Sequence, residues 1–276
     1  MGLKKPAVSP NRHVPLHRSS SGFVLLHTLW LLLVASALLS GLLILANQTS
    51  VNFSLTDRET RRELAQESAV ELAIHDIVTR GARSRWLNPP TAAEVVEIEG
   101  QRIALSVQNV AGLVDAGSSE TKVLETLLDG TLNRDGAIVL ARIDAARSKR
   151  GTRTRPFSTY AELRAITHIT DQAFGCLYQS ITLFSGSLEP NPSLIPQTLA
   201  KLLRVKRRKS QTASAIETGG SAAGATYRIE AVSVPTNDLA GQVLSIEVTI
   251  TGRHRPSHLI RSWLYLPHAT NMVPCS

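Results

Sequence analysis

Residues 21–46 read SGFVLLHTLWLLLVASALLSGLLILA, and this stretch decides the architecture. From Phe23 to about Ala46 it holds no Asp, Glu, Lys or Arg. A helix of about 24 residues is roughly 36 Å long, enough to cross a ~30 Å hydrocarbon core with some tilt. The leader before it, residues 1–22, carries Lys4, Lys5, Arg12 and Arg18 and no acid. The next charged residue after the run is Asp57. Positive charge confined to the N-terminal side keeps the leader cytoplasmic and predicts export of everything beyond Ala46.

An ordinary secretory signal has a shorter apolar core, about 7–15 residues, and a small-residue cleavage site. Ala35-Ser36-Ala37 offers such a site. Cleavage there would leave Leu38 to Ala46, nearly all apolar, at the new N-terminus, which does not suit a soluble product. A plain signal anchor and a processed anchor are the two other readings of the segment.

The chain has 276 residues, a hydrophobic fraction of 43% and a formal charge of +8. Four of its cations lie in the leader, so the exported part carries only about +4, a weak argument for nucleic acid. About 230 residues follow the anchor, enough for one large domain or two small ones. Cys176 and Cys275 are the two cysteines. An oxidising compartment permits them to pair, but sequence alone does not place them within bonding distance. No His/Cys cluster has metal spacing. Asn47-Gln48-Thr49 and Asn52-Phe53-Ser54 match the glycosylation pattern and, so near the membrane, read as chance.

Beyond the anchor, Leu64, Ala65, Ala69, Leu72, Ala73 and Ile77 recur at three- and four-residue steps with charges between them. No Pro or Gly interrupts Gln48 to Arg80, so one helix from about Phe23 to Arg80 is expected, ended by Gly81, with a loop at Asn88-Pro89-Pro90. Two helices with a joint near Asn52 would need a breaker there. Val95–Glu99 and Ile103–Gln108 alternate about Gly100-Gln101 as a hairpin. Thr121–Leu128, Gly136–Ala146, Tyr160–Ile166, Asp171–Tyr178 and Ser193–Leu203 read as helices. Ser158 or Thr159 is the N-cap of the third, with Glu162 placed for a capping box. Lys201–Lys209 is basic, Ser210–Ala225 reads as a flexible loop, and strands return at Tyr227–Val234, Val243–Thr251 and Leu259–Leu266. Strands, helices, then strands predict an α+β domain with a helical insertion. The expected divisions are residues 1–22 (leader), 23–46 (membrane half of the helix), 47–112 (exported helix half and first strands), 113–218 (insertion) and 219–276 (remaining strands).

Gly22-Phe23 at the charge-to-apolar boundary resembles the processing site of type IV pilins and pseudopilins. In those families a membrane peptidase cuts after the Gly and methylates the new N-terminus. Most members carry a glutamate as the fifth mature residue; here that position is His27. One class, the minor pseudopilin K of type II secretion, commonly lacks the acid and reads Leu-Leu-x-x-Leu-Trp, as do Leu25-Leu26-His27-Thr28-Leu29-Trp30. A neutral histidine tolerated near the membrane surface is the plainer account of His27. Two further stretches resemble that family: Val110–Ser118, with Gly112 and Asp115, and Arg155–Leu163, with Phe157, Glu162 and Leu163, followed by Ile181–Ser185. Ala116-Gly117 departs from the usual Leu-Asn.

The resemblance implies a pilin-like long N-terminal helix packed on a small antiparallel sheet. It also implies a non-catalytic tip subunit of a periplasmic pseudopilus, anchored by a single pass in the bacterial inner membrane with its C-terminal domain periplasmic. I- and J-type minor pseudopilins, other assembly proteins and the prepilin peptidase are the partners it implies. Some members bind calcium, which needs six to eight oxygens. Between Ala145 and Pro156 there are five basic residues and no acid, so ligands for calcium are not supported and no cofactor is expected.

Two other functions compete with this reading. Glu162–Thr170 resembles a helix-hairpin-helix, as in membrane-anchored DNA-uptake proteins. Thr167-His168-Ile169-Thr170 lacks the glycines that let backbone N–H groups approach a phosphate, so no nucleic acid is expected. No catalytic motif such as Gly-x-Ser-x-Gly, Ser-x-x-Lys or His-Glu-x-x-His is present, and no enzyme is expected.

Overall fold

A 60-residue helix, α1 (Ser21–Arg80), opens the computed structural model, which describes residues 21–87, 93–150, 156–206, 222–234 and 242–267. The leader charges, Asn88-Pro89-Pro90, residues 207–209 of the basic run, residues 210–221 of the expected loop and Cys275 lie outside those residues. The chain divides into two compact units within α1, at Arg58/Glu59. In the first, Phe23–Leu43 forms a helical segment with mean hydropathy 2.2 and none of it buried. Two of its hydroxyls are satisfied locally: Thr28 donates to the Leu25 carbonyl and Ser40 to that of Ser36, both at 2.9 Å. That back-bonding suits a helix without water around it.

The second unit begins with the remainder of α1, whose Ala65, Ala69, Val70, Ala73, Ile74 and Ile77 are buried. They pack on one face of a five-stranded antiparallel sheet whose strands run in the order Glu94–Ile98, Gln101–Asn109, Thr226–Ser233, Gln242–Ile250 and His258–Pro267. Gln66 adds a polar tie, its amide donating to the carbonyls of Ala231 (3.1 Å) and Gln242 (2.8 Å). Gly81 ends the helix with φ +56, a conformation that favours glycine. β1 (Glu94–Ile98) and β2 (Gln101–Asn109) form the predicted hairpin. The turn falls on Glu99 and Gly100, both at positive φ, one residue earlier than expected, because a two-residue turn needs that backbone at both positions.

β2 pairs with β5 (Thr226–Ser233) although the whole helical region lies between them in sequence, so that region is an insertion between adjacent strands. β6 (Gln242–Ile250) and β7 (His258–Pro267) complete the sheet. The α+β class is as the sequence predicts.

The insertion comprises α2 (Thr121–Leu132), α3 (Gly136–Arg150), α4 (Tyr160–Thr167), α5 (Asp171–Tyr178) and α6 (Gln197–Leu202). β3 (Val114–Asp115) and β4 (Ile181–Thr182) form a short parallel pair within it. Leu124, Leu127, Leu128, Ile143, Phe157, Leu163 and Tyr178 fill its own core. The predicted helix from Ser193 is shorter than expected. Pro196 has an extended ψ of 148° at the N-cap, so helix begins only at Gln197. Of the Ile181–Ser185 stretch only Ile181–Thr182 is strand, as β4.

Candidate functional sites: the anchor and the junction between sheet and insertion

Gly22 and Phe23 fall in the first turn of α1. Phe23 is 74% exposed and Trp30 60%. The Phe23 and His27 rings stack one helical turn apart, centroids 6.2 Å from each other. With Leu26, Leu29, Trp30 and Leu33 they make a continuous apolar and aromatic surface on one side of the helix. Within its own unit this surface has no covering element, as a lipid-facing or helix-facing segment requires.

The other motif residues are brought together in the insertion, where each has a structural task. A Cβ on Gly112 would lie 2.2 Å from the Leu194 carbonyl oxygen, so only glycine permits that backbone approach. Asp115 is buried, and its Oδ1 accepts from the Gly117 (2.8 Å) and Ser118 (3.0 Å) N–H groups. Its Oδ2 accepts from the Gly186 N–H (2.8 Å) and the Ser185 hydroxyl (3.2 Å). Phe157 and Leu163 are core residues. Thr159 is the N-cap of α4, accepting from the Glu162 N–H at 3.1 Å, while Glu162 accepts from the Ser158 N–H at 2.8 Å.

Asp115 has both oxygens committed to protein donors, and Asp144 pairs with Arg147 at 3.5 Å. Among the described residues no three of His, Cys, Asp and Glu group as a metal site. Cys176 on α5 is disulfide-bonded.

The strongest electrostatic feature was not anticipated. Arg228 on β5 and Glu247 on β6 stand directly opposite each other on the sheet face turned to the insertion. Their side chains are 2% and 0% exposed, and they pair at 2.6 Å. Arg228 also donates to the carbonyls of Tyr178 (2.5 Å) and Ile181 (2.6 Å) and to the Tyr160 hydroxyl (3.0 Å). Its guanidinium lies 4.0 Å from the centre of the Tyr178 ring. Glu247 accepts from the Tyr160 hydroxyl at 3.0 Å and from Thr182 at 3.3 Å. Tyr178 and Ser245 share a hydrogen bond of 2.8 Å.

Burial opposes charge on Arg228, but Tyr178 and Glu247 outweigh it and hold the guanidinium well above its ordinary pKa. Burial first, and Glu247 second, raise Tyr160 well above its usual value. Burial and then Glu247 push Tyr178 up to about 12, against the opposing pull of Arg228. The cluster is closed to solvent and fully bonded, so it joins the insertion to the sheet and offers no room to a substrate.

No family model and no curated protein matches this chain. In structure the chain is similar to one chain of the crystal structure of the GspK-GspI-GspJ complex from the enterotoxigenic Escherichia coli type 2 secretion system. The TM-score is 0.48 at 9% identity, covering 78% of this chain and 99% of that one. The class that fold and sites define is an α+β protein with an apolar N-terminal helix, a sheet-packed helix half and a helical insertion.

Proposed function

We propose that the protein is a non-catalytic minor pseudopilin of a type II secretion system, placed at the tip of a periplasmic pseudopilus and helping to initiate it. The observation that carries this reading is α1 itself: an uncovered apolar segment and a sheet-packed segment in one helix that starts at a Gly-Phe boundary behind a basic leader. In this reading the prepilin peptidase cuts between Gly22 and Phe23 and methylates Phe23. The leader stays cytoplasmic and the folded domain is periplasmic, held by a single pass of the inner membrane.

Two features favour the tip. In pilins a carboxylate at the fifth mature position is thought to pair with the neighbouring subunit's terminal amine, a contact that compensates a charge costly in lipid. His27 does not supply that anion, and a first subunit needs none, because nothing stands above it. The insertion also adds bulk between β2 and β5 that would obstruct a subunit stacking on top. I- and J-type minor pseudopilins are the partners.

Three results test the reading together. N-terminal sequencing of the chain expressed with the peptidase should begin at Phe23; a start at Met1 or Leu38 contradicts processing. The chain should also co-purify with the I- and J-type partners, and secretion should fail without it. Normal secretion in its absence overturns the proposal.

A further inference from the structure

Along α3, Arg142, Ala145, Ala146 and Lys149 recur at three- and four-residue steps and so share one helical face. With Ile166 and His168 at the end of α4 they line a groove of about 500 Å³. Its floor is apolar: Ala146 and Ile166 are half-buried and pack on the core of the insertion. Its rim is cationic or N–H-bearing, from Arg142, Lys149 and His168. Two of these are fixed in place. The Arg142 guanidinium donates to the Thr167 carbonyl at 2.5 Å. His168 sits at φ +53, its N–H bonded to the Arg164 carbonyl at 2.8 Å. Among the described residues no carboxylate pairs with Arg142, Lys149 or His168. Asp144 and Asp171, on the neighbouring stretches of chain, are engaged by Arg147 and Arg164.

We propose that this groove docks an acidic, apolar-flanked peptide segment of a partner protein. A carboxylate would sit between Arg142 and Lys149 and an apolar neighbour on Ala146 and Ile166. Arginine presents a fork that matches a carboxylate, and lysine adds an unoriented charge beside it. An uncharged segment would desolvate this rim without compensation, and a free inorganic anion would leave the apolar floor unused. A bilayer surface is flat where this site is concave, and duplex DNA calls for a longer track of cations than one groove supplies. The proposal stands on the groove alone and does not depend on the pseudopilus reading.

The test uses the full chain in nanodiscs of zwitterionic lipid. The probe is a short fluorescein-labelled peptide with paired glutamates flanked by leucines, compared with its glutamine counterpart by fluorescence anisotropy. The glutamate peptide should bind about tenfold tighter or more, and added salt should erode the difference. Lys149→Glu should weaken it about tenfold, whereas Lys122→Glu, on a lysine that does not line the groove, should not. Ala145→Trp, which fills the groove without altering charge, should also block binding, and far-UV circular dichroism checks that each variant folds. Equal binding of the glutamine peptide overturns the proposal. So does wild-type affinity in both Lys149→Glu and Ala145→Trp. Binding of acidic vesicles or a DNA duplex through Lys149, with no binding of the peptide, overturns it as well.

Discussion

The two faces of the five-stranded sheet are held to their neighbours by opposite chemistry. Toward α1 the contact is apolar: Ile103, Leu105 and Val107 of β2, Ile229 and Ala231 of β5, and Leu244, Ile246 and Val248 of β6. Toward the insertion β5 and β6 present Arg228, Ser245 and Glu247, tied to Tyr160, Tyr178 and Thr182. Burial of apolar surface is strong but undirected, so the first contact stabilises without fixing one fit. The second is weak as a net source of stability, since two charges had to leave water. Its bonds are directional, and they are all satisfied in one placement of α4 and α5 on the sheet. One face supplies stability and the other supplies position.

That contrast is easiest to break at Glu247. Glu247→Ala leaves Arg228 buried without its anion and should cost ~3–5 kcal/mol. Replacing both, Arg228→Met with Glu247→Leu, should restore most of the stability in chemical denaturation. Amide exchange in α4 and α5 should nevertheless rise in the double variant, because position is no longer specified. Unchanged exchange would show that the ionic cluster does not hold the insertion in place.

An alkaline titration is the next largest effect. Tyr178 has a folded pKa of about 12 against an ordinary value of 10.0. Between these values the unfolded chain gives up the phenolic proton while the folded chain keeps it. The stabilisation is therefore complete below pH 10 and lost as pH rises toward about 12, by ~3 kcal/mol for this residue alone. Unfolding free energy against pH, with tyrosinate absorbance followed in parallel, measures it.

On the apolar face the response should be small and graded: Ile246→Val should cost about 1 kcal/mol and leave exchange in α4 and α5 as it was. Thr159→Ala, which removes the N-cap of α4, should cost about 1 kcal/mol and fray the start of that helix.

How much of this was legible in the sequence depends on whether the signal is local. The capping box at Thr159 and Glu162 and the bounds of α5 rest on cap chemistry within a few residues and are where the pattern put them, while the hairpin forms as expected with its turn one residue earlier. The Arg228–Glu247 pair was not legible. In Tyr227–Val234 and Val243–Thr251 the apolar residues alternate with Arg228, Glu230, Ser245 and Glu247, a pattern that reads as one buried and one solvated face. Nothing local says that an insertion elsewhere in the chain covers the polar face. Charges on that face at directly opposed positions of two neighbouring strands were the available hint. The β3–β4 pair was hidden for a similar reason: two residues per strand carry no periodicity, and their parallel partners lie across four helices. Gly112 was found by resemblance; its cause is the Leu194 carbonyl pressed against it.

The placement at the tip is the central claim, and counting copies tests it most directly. Pseudopili sheared from cells and sorted by length should be quantified for this chain against the major subunit by isotope-labelled peptides. The account predicts a constant, low number of copies per filament, so that the ratio to the major subunit falls as filaments lengthen. A ratio that stays fixed with length would place the chain along the shaft and contradict it.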